Sequence, residues 1–84
     1  MRKYNRRTWL NKEESSSTSS IITFDGEVPY GDKNLRDTFL KIYDCKNSIT
    51  IHKKDDESVE IFLDKLKLLN KEIESFIKHL TTIK

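Results

Sequence analysis

The chain has 84 residues, of which 35% are hydrophobic and 36% charged, and its formal net charge is +2. A chain of this length forms one small domain and buries only about 60% of the surface that its unfolded form exposes. The single cysteine, Cys45, excludes an internal disulfide, and with only two histidines the sequence lacks the ligand spacing of a structural zinc site. We therefore expect association with other chains to supply part of the stability.

The charge is unevenly distributed along the chain. Residues 1–12 carry five bases and no acid, residues 13–37 carry six acids and two bases, and the remainder is nearly balanced. Bases neutralise phosphates, and aromatic rings give single-stranded bases a stacking surface. The first segment is therefore a candidate nucleic-acid-binding arm, with a solvated tail and contact with an acidic protein as alternatives. Its candidate binding residues are Arg2, Lys3, Tyr4, Arg6, Arg7 and Trp9.

A polar segment of low complexity follows this basic arm. Residues 15–20 consist of serine and threonine alone, which cannot build a core. We therefore expect residues 1–20 to form a flexible basic arm and linker. Residues 21–84 are then a single small α+β domain.

Residues 21–54 are typical of short β-strands. Residues 21–24 are β-branched and aromatic, and the dipeptide Asp25-Gly26 predicts a tight turn after them. Residues 28–32 form a second turn-rich stretch. Residues 38–43 and 49–52 then predict a hairpin around a polar spacer. A helix capped by Asp32 is the alternative for residues 35–43, because Leu35, Phe39 and Ile42 recur at helical spacing.

The last third of the chain predicts one long amphipathic helix over residues 57–83. Its apolar residues recur at alternating spacings of three and four, which is a heptad pattern. Acidic residues 55–57 lie at its N-terminus, the positive end of the helix dipole. We expect this stripe to cover the sheet, while Ile61 and Leu68, which lie off it one heptad apart, form an interface with a partner or a second copy. The stripe consists of Val59, Phe62, Leu66, Leu69, Ile73, Phe76, Leu80 and Ile83, widened by Leu63 and Ile77.

The sequence contains no recognisable catalytic arrangement. His52 and His79 are the only imidazoles, and neither is accompanied by a serine, cysteine or carboxylate at a catalytic spacing. Cys45 fits an ordinary thiol, and the glycines suit turns better than a phosphate-binding loop. We therefore expect no catalytic residue, no metal ligand and no cofactor, and a protein that is not an enzyme.

The sequence also predicts a cytoplasmic location. No apolar run approaches the roughly 20 residues that span a bilayer. The charged N-terminus does not lead into the apolar core of a secretory signal. A lone cysteine fits a reducing compartment.

Residues 4–11, the serine run, the Phe24-Asp25-Gly26 segment and the closing helix together resemble the small accessory proteins of tailed bacteriophages. Counter-defence proteins that inhibit toxin endoribonucleases belong to this group. The likeness covers size, charge layout and general style over most of the chain, without a diagnostic motif. It implies a non-enzymatic inhibitor in the host cytoplasm that acts on an RNA-cutting toxin, with RNA in the complex.

These observations predict an α+β fold in which a small antiparallel sheet is covered by one long C-terminal helix. The expected function is a binding protein that inhibits or modulates a host protein, with RNA as co-ligand and with self-association into a homo-oligomer. The alternatives are a simple RNA- or single-stranded-DNA-binding regulator and a structural oligomerisation module.

Overall fold

The computed structural model describes residues 3–11 and 18–83, which contain four β-strands and one α-helix. All strand pairs are antiparallel, and the strands lie in the sheet in chain order. The chain divides after Lys53 into two compact units, one with the sheet and one with the helix. The predicted α+β class is therefore confirmed. The elements are β1 (Tyr4–Trp9), β2 (Ser19–Tyr30), β3 (Lys33–Asp44), β4 (Asn47–His52) and α1 (Val59–Ile83).

The basic arm contributes a strand to the sheet. β1 pairs with β2 from Tyr4 opposite Asp25 to Trp9 opposite Ser20, and the Leu10 N–H donates to the Ser19 carbonyl at 2.9 Å. The prediction of a flexible arm is therefore wrong for β1, because its backbone groups are paired with β2. Ser19 and Ser20 begin β2, and residues 12–17 of the predicted linker lie outside the described residues.

β2 and β3 form a hairpin of twelve residues on each side. β2 continues through Asp25 and Gly26, so the turn predicted there is wrong. The chain turns at Gly31 and Asp32, at the end of the predicted turn-rich stretch 28–32. Gly31 has a φ of 63°, which glycine adopts without steric cost. The helical alternative for residues 35–43 is also wrong, since these residues pair with β2 on one side and, from Phe39 onward, with β4 on the other.

The predicted hairpin of residues 38–43 and 49–52 is confirmed by the pairing of β3 with β4. Its two-residue loop consists of Cys45 and Lys46, and Cys45 has a φ of 54°. A positive φ at the first loop position suits the right-handed twist of the flanking strands. Both hairpins therefore turn in the same way, although only one of them uses glycine.

α1 starts two residues later than predicted and ends at the predicted residue. The Ser58 hydroxyl accepts a hydrogen bond from the Ile61 N–H at 3.2 Å, and the Ser58 carbonyl accepts one from the Phe62 N–H. Ser58 is therefore the N-cap. The 25 residues of α1 span roughly 37 Å at 1.5 Å per residue. Among the described residues, no helix has the length and apolarity needed to cross a membrane.

Few side chains of the described residues are buried. Phe62 retains 4% of its accessible surface and Ser20 retains 3%, whereas most of the large apolar residues of α1 are exposed. Full burial of a large apolar side chain stabilises a fold by about 1.5–3 kcal/mol. The described part of one chain thus has a small apolar core.

The Gly31 turn gives a test of the β2–β3 hairpin. We expect Gly31→Ala to lower the free energy of unfolding by about 1 kcal/mol, since alanine is strained at positive φ. Asp32→Ala is the matched control, because Asp32 occupies the same loop without a positive φ. Urea denaturation followed by circular dichroism measures both changes. Equal effects of the two substitutions would contradict the hairpin.

Candidate nucleic-acid interface

The pairing of the four strands sorts their aromatic side chains onto one face of the sheet. Side chains alternate between faces along a strand, and residues directly opposite each other share a face. The paired ranges of the described strands run without a bulge, so this assignment holds across the whole sheet. Tyr4 alone among the six strand aromatics lies on the opposite face. The other five are Trp9, Phe24, Tyr30, Phe39 and Tyr43.

The same face that carries the aromatic side chains also carries an excess of basic side chains. The strands place three bases on the aromatic face, Arg7, Lys33 and Lys41, with one acid, Asp37. The side chain of Lys3, just before β1, lies on the same face, with its ammonium 5.6 Å from the Phe24 ring centroid. The opposite face carries two bases and three acids in the strands, namely Arg6, Arg36, Asp25, Glu27 and Asp44. The aromatic face is therefore positively charged and its reverse is not.

Arg7 lies beside two aromatic rings at one end of this face. Its guanidinium carbon is 5.6 Å from the Trp9 ring centroid and 5.7 Å from the Tyr43 ring centroid. The Lys41 ammonium is 4.9 Å from the same Tyr43 ring. These distances are within the range of cation–π attraction, which holds the cations close to the rings.

An open cleft of about 380 Å³ lies at this end of the sheet. Its lining includes the buried Ser20, whose partners across the sheet are Trp9 on β1 and Tyr43 on β3. The lining residues are Arg7, Trp9, Thr18, Ser20, Tyr43 and Cys45.

The middle of the same face is a second aromatic cluster. The rings of Phe24 and Phe39 stack with centroids 5.4 Å apart, and the His52 ring lies 5.5 Å from that of Phe39. Gly26 allows Lys3 to lie over this cluster, because a Cβ at position 26 would stand 3.0 Å from the Lys3 Cγ. We call the whole surface the basic-aromatic face, consisting of Lys3, Arg7, Trp9, Phe24, Phe39, Lys41 and Tyr43.

On the opposite face, Tyr4 and Arg6 interact with each other. A hydrogen bond with Arg6, assisted by one with Thr23, lowers the pKa of the Tyr4 hydroxyl. Both residues belong to the candidate arm, but alternation along β1 turns their side chains away from Arg7 and Trp9. The structure therefore divides the predicted binding residues between two faces.

An ion pair beside Tyr4 links β2 to β3 on this opposite face. Arg36 donates from Nε to Asp25 Oδ1 at 2.8 Å and from Nη2 to Oδ2 at 2.9 Å. The Thr38 hydroxyl donates to Asp25 Oδ1 at 2.7 Å. The Arg36 hydrogen bond is the main reason why the pKa of Asp25 lies below its ordinary value, and Asp25 in turn raises the pKa of Arg36. This polar cluster joins the strands without offering a free carboxylate.

The structure brings together three of the six predicted nucleic-acid-binding residues, Lys3, Arg7 and Trp9. Arg2 lies outside the described residues. Four residues of the basic-aromatic face were missed by the sequence analysis, namely Phe24, Phe39, Lys41 and Tyr43. The alternation of Phe39, Lys41 and Tyr43 with Leu40 and Ile42 was the signal for three of them. Ile61 and Leu68, predicted at an interface, are exposed on α1.

Comparison with known proteins provides no further assignment. No family model, no curated protein and no solved structure matches the chain. The residues described also hold no group of three or more side chains suited to bind a metal ion. The chemistry of the basic-aromatic face is therefore the main indication of function.

The ion pair between Arg36 and Asp25 predicts a pH dependence of stability. Because the pKa of Asp25 is lowered on folding, its contribution is fully present above the ordinary carboxyl pKa of about 3.9 and is lost as the pH falls through the folded-state value. Asp25→Asn should lower the free energy of unfolding slightly at pH 6, and the difference from the parent protein should shrink as the pH falls below the ordinary carboxyl pKa. The effect is small because both side chains are partly exposed.

Urea denaturation between pH 2 and 7 measures this difference. Asp44→Asn is the control, since Asp44 accepts a hydrogen bond from Ser19 at the end of β3 but forms no ion pair with Arg36. A difference between Asp25→Asn and the parent protein that is independent of pH would contradict the ion pair.

Proposed function

We propose that the protein is a non-enzymatic RNA-binding protein that binds single-stranded RNA on the basic-aromatic face and thereby modulates a host factor. The observation that carries this proposal is the position of Arg7 between the rings of Trp9 and Tyr43, with Lys41 beside them. Single-strand-binding sites combine cations along the backbone path with aromatic rings that stack on the bases. A sheet with exposed aromatic side chains is one of the known surfaces for this type of binding.

Exposure of the Trp9 ring supports base stacking as the source of affinity. Trp9 has 63% of its surface accessible and therefore offers a ring to an unpaired base. Its neighbour Arg7 is also exposed, so the guanidinium can bind a phosphate while it remains close to the ring. A double helix buries its base faces, so stacking of this kind selects single strands.

The distribution of charge favours binding of a polyanion to the basic-aromatic face over binding to the reverse face of the sheet. The basic-aromatic face has an excess of bases, whereas the reverse face carries two bases and three acids, of which Arg36 and Asp25 are paired. Each phosphate neutralised on a single strand contributes about −0.7 to the slope of log affinity against log salt concentration. Contacts from Lys3, Arg7 and Lys41 would therefore give a slope of roughly −2.

The host factor in this proposal is a protein that itself acts on RNA. A binding protein without catalytic groups changes the activity of such a factor by holding the RNA or by joining its complex. The resemblance to phage counter-defence proteins supports a toxin endoribonuclease as that factor, and the host cytoplasm as the place where both meet.

The alternation of β1 gives a sharp test of RNA binding. We expect Trp9→Ala to weaken binding of a fluorescein-labelled oligouridine RNA by roughly 5- to 150-fold, the equivalent of about 1–3 kcal/mol for one stacked base. The salt slope should not change, because stacking releases no counterions. Arg7→Ser should also weaken binding and reduce the slope by about 0.7. Fluorescence anisotropy at several salt concentrations measures affinity and slope.

Tyr4→Ala and Arg6→Ser are the matched controls. They remove the same kinds of side chain from the same strand, but from the opposite face. Both variants should bind RNA like the parent protein. Equal losses in all four variants would show that β1 acts as an unstructured basic arm, and absence of RNA binding by the parent protein at low salt would refute the proposed function.

A further inference from the structure

The second half of α1 has an apolar stripe that is exposed in the described chain. Earlier in the helix, Phe62 is buried, and Leu66 and Leu69 are partly buried. Further on, five apolar side chains each retain between 44 and 63% of their accessible surface. They lie along one side of the helix over three turns, which places them in a single continuous surface. We call it the C-terminal stripe: Ile73, Phe76, Ile77, Leu80 and Ile83.

The spacing of the C-terminal stripe matches another helix better than a sheet or an irregular surface. Ile73 and Leu80 occupy one core position of the heptad, and Phe76 and Ile83 occupy the other. Side chains at these positions insert into holes formed by four residues of a facing helix that has the same repeat. α1 is the only helix in residues 3–11 and 18–83, so the described chain has no second helix to face it.

The charges of α1 favour a second copy over a polyanion or an acidic partner. Residues 59–83 contain four acids and four lysines, so two copies of the helix meet without net repulsion. This neutral helix contrasts with the positive face of the sheet. The acids are Glu60, Asp64, Glu72 and Glu74, and the lysines are Lys65, Lys67, Lys71 and Lys78.

The exposed area is sufficient for a small specific interface. The five side chains expose together roughly 500 Å², so two copies would bury about 1,000 Å², the lower limit for a specific interface. The helix face that contains Ile61 and Leu68, in contrast, becomes polar over the stretch occupied by the stripe. One and two heptads after Leu68, the equivalent positions are Ser75 and Thr82, whereas the C-terminal stripe continues to Ile83.

We propose that the C-terminal stripe of α1 binds the same stripe of a second copy of this chain and forms a symmetric dimer. In a two-fold interface the same patch is used by both copies, so a self-complementary heptad surface is sufficient. Phe76 lies at the centre of the stripe and contributes its largest side chain. This dimer is independent of the RNA-binding proposal, since the stripe and the basic-aromatic face share no residue.

Light scattering coupled to size-exclusion chromatography tests the dimer with the full chain. At micromolar concentration the parent protein should elute with twice the mass of the 10.0 kDa chain. Phe76→Glu should give the monomer mass, because it places two carboxylates in the dry centre of the interface. Phe76→Leu should remain dimeric, and circular dichroism should show that all variants keep the helix.

Leu68→Glu is the matched control, since Leu68 is an equally exposed apolar residue of the same helix outside the C-terminal stripe. It should remain a dimer. A monomeric parent protein would overturn the proposal. A Phe76→Glu variant that stays dimeric while Leu68→Glu becomes monomeric would also overturn it, by moving the interface to the face that contains Ile61 and Leu68.

Discussion

The antiparallel pairing of β1 with β2 is the interaction on which the candidate interface depends. A free arm would present all of its basic and aromatic side chains to any ligand. A paired strand with a period of two presents every second one, so Arg7 and Trp9 are directed to one face and Tyr4 and Arg6 to the other. The same pairing brings Arg7 within cation–π distance of Tyr43, a residue 36 positions later in the chain. The basic-aromatic face is thus a product of the sheet rather than of the arm alone.

The sheet and the helix carry different kinds of surface, a basic and aromatic one on the sheet and an apolar one on the helix. The sheet unit concentrates cations and aromatic rings on one face, and its hairpins are turned by Gly31 and Cys45. α1 has no net charge, and its apolar stripe is exposed after Leu69. In a chain of 84 residues, these surfaces take up apolar side chains that a self-sufficient core would otherwise bury. The proposed RNA binding and the proposed self-association therefore use different residues. Each would give a role to side chains that are not buried when the single chain folds.

The sequence was most informative where the pattern was local. The heptad of α1 predicted its type and its C-terminal end, and the strand-like residues 38–43 and 49–52 predicted the β3–β4 hairpin. The turn predicted at Asp25-Gly26 was wrong because this dipeptide, although typical of turns, also fits inside a strand. There Gly26 makes room for the Lys3 side chain. β1 was missed because its charges resemble those of a disordered arm, and only its pairing with a partner 11 to 21 residues away makes it a strand. Alternation within β3 places Lys41 and Tyr43 on one face of that strand, but only the pairing of three strands brings this face next to Arg7.

Amide hydrogen exchange of β1, measured by NMR on the free protein, tests the central claim most directly. Because the Leu10 N–H donates to Ser19, the period of an antiparallel ladder directs the N–H groups of Tyr4, Arg6 and Thr8 toward β2, and those of Asn5, Arg7 and Trp9 toward the open edge. If β1 is paired with β2, the amides of Tyr4, Arg6 and Thr8 exchange slowly, and those of Asn5, Arg7 and Trp9 exchange fast. Exchange at the rate of an unstructured peptide for all six residues would show that the arm is free, and would contradict the assignment of its side chains to two faces.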